Sequence, residues 1–192
     1  RRKGAGGGDS RQVDARLPGK LCLEVVPLVD RGHRAAGVEL NEREIINCVG
    51  KGLDVVQADL DHGLASFANK QFDYVILSQT LQTVRDVEGV IREMLRVGRC
   101  GIVSFPNFAH WWARLQLLAF GRMPISRELP YQWYDTPNIH LFTLQDFLRL
   151  CAEDGITVKH IRCLSRSRVG RLLNALGHRN LGADRVIAHI AR

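Results

Sequence analysis

The chain has 192 residues, 45% of them hydrophobic and 24% charged, so a single domain with a buried core is expected and global disorder is not. The net charge of +7 comes from the ends: residues 1–20 hold six Lys/Arg against two Asp, and residues 159–192 hold eight against one. The middle of the chain is therefore slightly acidic, and no basic groove with interleaved aromatic residues predicts nucleic-acid binding.

Compartment and membrane signals point to a cytoplasmic protein. No apolar run approaches the roughly 20 residues that span a bilayer, and the N-terminal residues lack the apolar core of a signal peptide. The five cysteines show no CxxC pairing, so the sequence predicts buried thiols in a reducing compartment and no metal site. Among them, Cys48, Cys100 and Cys151 fall in apolar patterns that predict core positions.

From Arg34 onward, predicted strands and helices alternate, which indicates an α/β fold with a doubly wound, mostly parallel sheet. We expect residues 34–40 and 72–79 to lie in that one sheet, with antiparallel strands at 156–165 and 184–192 along one edge. The predicted strands are 34–40, 53–59, 72–79, 100–106, 156–165 and 184–192, and the predicted helices are 41–52, 84–98, 107–121, 143–155 and 168–180.

Polar residues end three successive strands, as in a nucleoside-binding crevice. Glu39 ends the first predicted strand, where an acid can accept hydrogen bonds from ribose hydroxyls. Asp59 and Leu60 end the next, where they can contact an adenine, and Ser78 with Gln79 line the mouth of the third. The alternative for Glu39 alone is a solvated strand-end carboxylate. Together the three positions resemble a class I S-adenosylmethionine-dependent methyltransferase.

A more specific resemblance covers roughly residues 32–165. The strings SQTLQ, EMLRVG, GIVSFPNF, GRMP and LPYQWYDTPNIH are similar to those of the MetW family of methionine biosynthesis proteins. Membership implies a methyltransferase-like fold, S-adenosylmethionine as the cofactor, and partnership with homoserine O-acetyltransferase or the O-succinyltransferase.

The glycine-rich turn of that family, which reads like VLDLGCGDG, is missing. With Glu39 as the anchor it falls at residues 17–23, which read LPGKLCL, and only Gly19 matches. The run GAGGGD at 4–9 follows no strand. Without the turn, the backbone cannot approach the methionine part of the cofactor closely, which argues against cofactor binding by this chain.

Two explanations of this N-terminal departure stay open. Residues 1–28 are an out-of-frame or otherwise atypical segment preceding a domain at 29–192, or they are a divergent but authentic N-terminus. In the first case we expect irregular, poorly packed residues before about 28. A replacement for the first strand is available at 20–26, provided that Pro27 ends it.

The block YQWYDTPNIH (131–140) is the other candidate site. Aromatic and polar groups on a loop suit recognition of a partner, which here would involve Tyr131, Trp133, Tyr134, Asp135 and His140. In the alternative, Trp133 and Tyr134 pack down over the helix at 107–121. A hydrogen-bonded acid–base pair between Asp135 and His140 is a further alternative. His110 is interpreted as a helix-surface or cap residue.

Three functions compete at this point. The first is an accessory protein that activates a homoserine acyltransferase, and the second is an active small-molecule methyltransferase. The third is a nucleic-acid-associated protein of methyltransferase-like fold. The string LSQTLQTV after the third predicted strand offers no evident catalytic base, which favours the first function and leaves catalytic residues unassigned.

Overall fold

The computed structural model describes residues 20–192, and within them the predicted alternation of strands and helices is confirmed. The strands are β1 (Ala36–Glu39), β2 (Asp54–Gln57), β3 (Phe72–Ser78), β4 (Gly98–Pro106), β5 (Thr157–Leu164) and β6 (Arg185–Ala191). The helices are α1 (Lys20–Val29), α2 (Glu42–Val49), α3 (Val87–Val97), α4 (Trp111–Phe120), α5 (Leu144–Glu153), α6 (Arg168–Ala175) and α7 (Arg179–Gly182).

Side-chain caps fix where the predicted helices begin. Asn41 caps α2 by accepting from the Arg43 backbone N–H. Thr143 and Asp146 form a reciprocal capping box at the start of α5, which satisfies two backbone donors that the first helical turn leaves open. The helices predicted at 41–52 and 143–155 are therefore confirmed, with their first residues at Glu42 and Leu144.

The larger sheet has the strand order β3-β4-β6-β5. β3 and β4 are parallel, while β6 runs antiparallel to both β4 and β5. The antiparallel edge predicted for residues 156–165 and 184–192 is therefore confirmed.

β1 and β2 form a separate parallel pair, so residues 36–39 and 72–78 lie in different sheets. The expectation of one continuous sheet is not met within residues 20–192. In the doubly wound order 3-2-1-4-5, the first strand joins the pair 2-3 to the pair 4-5. When the first strand is left out of that order, the pairs 2-3 and 4-5 remain, and these correspond to the pairings β1–β2 and β3–β4. Among the described strands, none joins the two pairs.

The main core lies on one face of the larger sheet, against α3 and α5. Val103, Phe105 and Ala188 point into it and are fully buried, with the rings of Phe105 and Phe147 4.9 Å apart. The opposite face is less covered, and Tyr74 and Ile76 on β3 are exposed there. Parallel strands are usually buried on both faces, so the described residues cover the second face of this sheet only in part.

Residues 20–26 are helical, which corrects their assignment as a replacement strand. They belong to α1, which includes Pro27 and spans the boundary expected at residue 28. Val25 of this helix is buried against Cys48 and Leu53, so the irregular packing expected before residue 28 is also wrong for this part. The rest of that segment, including Gly19, lies outside the described residues.

The cysteines differ in state. Cys48 is buried as predicted but disulfide-bonded, which corrects its assignment as a thiol. Cys151 is a buried free thiol, and burial, with a smaller contribution from Asp154, raises its pKa to about 11. Cys100 is free but only half-buried.

Among residues 20–192, no helix is long and apolar enough to cross a membrane.

Candidate functional site

Glu39 lies at the carboxyl end of β1 with its side chain 4% exposed. Its Oε1 accepts from the backbone N–H groups of Leu40 and Asn41 at 2.9 and 3.1 Å. A carboxylate that accepts two backbone N–H groups is held in one orientation. Glu39 is therefore a positioned, buried acid rather than the solvated strand end considered as the alternative.

Asp59 and Leu60 follow β2, next to Glu39 across the β1–β2 pair. The Asp59 carboxylate accepts from the Asp61 N–H at 3.0 Å and lies 3.3 Å from the His62 Nδ1 atom. Asp59 thereby caps a short 3₁₀ turn (Leu60–His62). The side chain of Leu60 is half-buried and packs against the main core.

Ser78 and Gln79 lie at the carboxyl end of β3, next to Ser104 on β4. The Ser78 and Ser104 hydroxyls are 3.3 Å apart, and the Gln79 N–H donates to the Ser104 carbonyl at 2.8 Å. Gln79 has a φ of +50°, a left-handed conformation that non-glycine residues rarely adopt and that clusters at functional sites.

The fit to S-adenosylmethionine is partial. Glu39 and Asp59 are acids of the type that a nucleoside requires, and they lie at or just after the carboxyl ends of two paired parallel strands. The methionine half needs a glycine turn at the end of a strand between β1 and β3, and residues 20–192 contain neither. The described residues therefore do not complete a site for this cofactor, and no chemical step is assigned to it.

A charged cluster missed by the sequence analysis lies at the carboxyl edge of β3 and β4. Glu128 has a side chain only 9% exposed, and its Oε2 accepts from the Arg185 Nε and Nη2 atoms at 3.0 and 2.6 Å. Arg166 approaches the same carboxylate at 3.4 Å. With its oxygen turned to Arg185, the Gln79 carboxamide accepts from the same two nitrogens at 3.1 Å each.

A second set of contacts holds the loop between α4 and α5 near its end, at residues 139 and 140. The backbone carbonyl of Gln82 accepts from the Ile139 and His140 N–H groups at 2.7 and 3.0 Å. The Gln82 side chain is buried, and its Nε2 donates to the Gln79 carbonyl at 2.9 Å. The two distinctive strings SQTLQ and TPNIH are therefore in direct contact.

The candidate partner residues lie on this loop, and their exposure differs. Trp133 and Tyr134 are 72% and 73% exposed, with their rings edge to face at 5.6 Å. They do not pack down over the preceding helix, so that alternative is wrong. Tyr131 is half-buried, and Asp135 is exposed.

His140 is not paired with Asp135 in the described part of the chain. Its Nε2 atom is buried and has no hydrogen-bond partner, so the acid–base pair considered from sequence is not formed. The imidazole instead lines an apolar cavity of about 320 Å³. The other lining residues are Leu81, Val87, Ile139, Leu141, Phe142, Asp146, Phe147 and Leu150.

Helix α4 extends the exposed apolar surface next to the loop. Its sequence, WWARLQLLAF, is apolar nearly all round, and Ala113 is its one fully buried residue. Leu118 is 86% exposed, and Phe120 at the helix end is also largely exposed. A helix that is apolar on all sides is normally buried, so α4 leaves an unusually large apolar surface exposed.

Solved structures share the fold at low sequence identity. An S-adenosylmethionine-dependent methyltransferase from Mesorhizobium loti has a TM-score of 0.61 at 16% identity, over 88% of this chain and 85% of its own. A SAM-dependent methyltransferase from Archaeoglobus fulgidus has a TM-score of 0.57 at 12% identity, over 88% and 80%. These similarities confirm the class I methyltransferase fold despite the divided sheet.

Two comparisons of sequence are more specific. A bifunctional methionine biosynthesis protein MetXA/MetW from Rhodopirellula baltica is 41% identical over 127 residues, 66% of this chain. The chain spans only about a fifth of that relative's length. The family model for the methionine biosynthesis protein MetW matches residues 19–186. The chain therefore belongs to the MetW family of methionine biosynthesis proteins.

Proposed function

We propose that this protein is an accessory subunit that binds and activates homoserine O-acetyltransferase, or the O-succinyltransferase in its place, in the cytoplasm. The observation that carries the proposal is the exposed apolar surface formed by α4 and the loop that follows it. We call this the docking surface and define it as residues 107–140.

The docking surface has the composition of a protein interface. Trp, Tyr and Arg dominate interface hot spots, and Trp133 and Tyr134 lie here beside Arg114, Arg122 and Arg127, all of them exposed. Leu118 and Phe120 add apolar area that no described residue covers. Exposed apolar surface of this extent is uncommon on a chain that acts alone.

The relative in which MetXA and MetW are one polypeptide supports the choice of partner. Joining two domains in one chain holds them at a high effective concentration, which is advantageous when the two act together. We therefore take the homoserine acetyltransferase as the partner to test first.

An active methyltransferase is the second candidate, and the buried acid Glu39 beside Asp59 favours it. It requires that the chain bind S-adenosylmethionine and present a base to an acceptor. The residues at the mouth of the crevice, Ser78, Gln79 and Ser104, are neutral and are bonded to one another or to Arg185. None of them has the character of a general base, which ranks this function below docking.

The test is co-purification of the tagged chain with homoserine O-acetyltransferase, in parallel with a Leu118→Asp variant. Docking predicts a stoichiometric complex for the wild type and its loss in the variant. Absence of a complex for both proteins, with either acyltransferase, would refute the proposal.

A further inference from the structure

Within the docking surface, the loop at residues 122–140 is attached to the carboxyl edge of the larger sheet by two sets of described contacts. The first is the ion pair between Glu128 and Arg185, and the second is the Gln82 carbonyl, which accepts from Ile139 and His140. Between these two anchors the loop carries Trp133 and Tyr134. The anchors therefore set where the exposed aromatic residues stand.

Both anchors lead to Gln79. With its oxygen turned to Arg185, the Gln79 carboxamide accepts from the two Arg185 nitrogens that also bind Glu128. Its backbone carbonyl accepts from the Gln82 side chain, whose residue holds the second anchor. None of these bonds joins Gln79 to the loop directly. Gln79 instead contacts Arg185 of the first anchor and Gln82 of the second.

The backbone of Gln79 supports a special role. Its φ of +50° is held by two bonds from its N–H group, to the Ser104 carbonyl and hydroxyl. A strained conformation persists only where the surrounding contacts determine it. Here those contacts aim the carboxamide at Arg185.

We infer that Gln79 is a positioning residue for the docking surface and couples it to the mouth of the crevice. The carboxamide holds the Arg185 guanidinium, and the guanidinium in turn holds the Glu128 carboxylate and the turn at 126–129. One consequence of this inference rests on the proposed function. A molecule bound at Gln79 would change the affinity of the chain for the acyltransferase, and the acyltransferase would change the affinity for that molecule by the same factor.

The experiment measures hydrogen exchange at the Ser126 amide, which is bonded to the Leu129 carbonyl within that turn. Gln79→Gly removes the carboxamide while keeping a residue that tolerates positive φ, and Glu128→Gln removes the charge at the other end. Each change is expected to speed exchange at Ser126 roughly fivefold. Because the two residues act in series, the double variant should exchange no faster than the faster single one.

The matched control is Lys70→Gly, since Lys70 is the other non-glycine residue with positive φ in the described chain, at +54°. Its side chain donates to the Leu95 and Gly98 carbonyls and not to the loop, so exchange at Ser126 should stay unchanged. Unchanged exchange in Gln79→Gly, or multiplied effects in the double variant, would overturn the inference.

The same variants separate this inference from the proposed function. If the wild type binds the acyltransferase, Gln79→Gly should weaken binding several-fold while Lys70→Gly does not. Failure of the wild type to bind contradicts docking but leaves the exchange result to decide the role of Gln79. Normal binding by Gln79→Gly contradicts the positioning role alone.

Discussion

His110 precedes helix α4 with its imidazole half-buried and its Nε2 atom without a hydrogen-bond partner. Burial lowers the pKa of His110 below its usual 6.5, against a smaller opposing effect of Asp184. In the unfolded chain the imidazole takes up a proton at a higher pH than in the folded protein. Protonation therefore favours unfolding.

We predict that the free energy of unfolding decreases as the pH falls from 6.5 toward the lowered pKa of His110, and that His110 causes no further decrease below that pKa. His110→Gln should remove this part of the pH dependence. The measurement is urea unfolding of both proteins across pH 7.5 to 5. Equal pH dependence in the two proteins over that range would contradict the prediction.

Trp133 is the residue at which docking and stability separate most clearly. Because its side chain is 72% exposed, Trp133→Ala should change the free energy of unfolding by less than about 0.5 kcal/mol. An interface hot spot of this type is worth about 2 kcal/mol, or roughly thirtyfold in Kd. Calorimetric titration with the acyltransferase and thermal unfolding together measure both quantities.

A large fall in melting temperature for Trp133→Ala would show that the side chain packs in the core after all. Unchanged affinity together with an unchanged melting temperature would move the docking site away from this loop. Either result contradicts the role given to Trp133.

At the scale of elements, α4 offers a matched pair of substitutions with α2. Leu118 is 86% exposed in the last turn of α4, and Ile46 is 70% exposed in the last turn of α2. An aspartate at either position meets the same unfavourable helix dipole. The two changes therefore cost similar helix stability and differ in whether they alter the docking surface.

Leu118→Asp is predicted to abolish acyltransferase binding, because a charge on the surface to be buried would lose its hydration. Ile46→Asp should leave binding unchanged. Analytical gel filtration of each variant with the acyltransferase checks this. Equal loss of binding in both variants would indicate a general effect on folding rather than a specific interface.

Elements with local signals could be predicted from the sequence. The helices predicted at 84–98 and 143–155 depend on patterns among neighbouring residues, and both are present as α3 and α5. Helix α1 could not be predicted as a helix, because Pro27 and the need for a first strand favoured an extended segment. Burial of Val25 against Cys48 and Leu53 favours the helix, and that packing is not local in sequence.

The candidate site also contains residues that could be predicted from local sequence and residues that could not. The strand-end positions of Glu39, Asp59 and Ser78 could be predicted, because each follows a local strand pattern, although β1 and β2 lie in a different sheet from β3. The cluster of Gln79, Arg185 and Glu128 could not, since 106 and 57 residues separate Arg185 from its two partners and only the antiparallel pairing of β6 with β4 brings them together.

For the whole molecule, the divided sheet bears on cofactor binding. Because a glycine turn between β1 and β3 is missing from the described residues, calorimetry of this chain with S-adenosylmethionine should show no measurable heat. A variant carrying DLGCGDG at residues 17–23 tests whether Glu39 and Asp59 can still bind the nucleoside. If it binds, Glu39→Ala in the same background should weaken binding by about 1.5–3 kcal/mol, the range of charged hydrogen bonds.

Binding by the unaltered chain would show that the turn is dispensable here. Failure of the restored chain to bind would show that the defect extends beyond the N-terminal residues. Both outcomes would contradict this account of the crevice.

The central claim is that the chain activates a homoserine acyltransferase through the docking surface. The most direct measurement is the acyl-transfer rate of homoserine O-acetyltransferase titrated with the wild-type chain, with Leu118→Asp and with Ile46→Asp. The rate should rise to a plateau at stoichiometric wild type or Ile46→Asp and stay at the basal level with Leu118→Asp. A rate that does not respond to the wild-type chain, or that rises equally with Leu118→Asp, would contradict the claim.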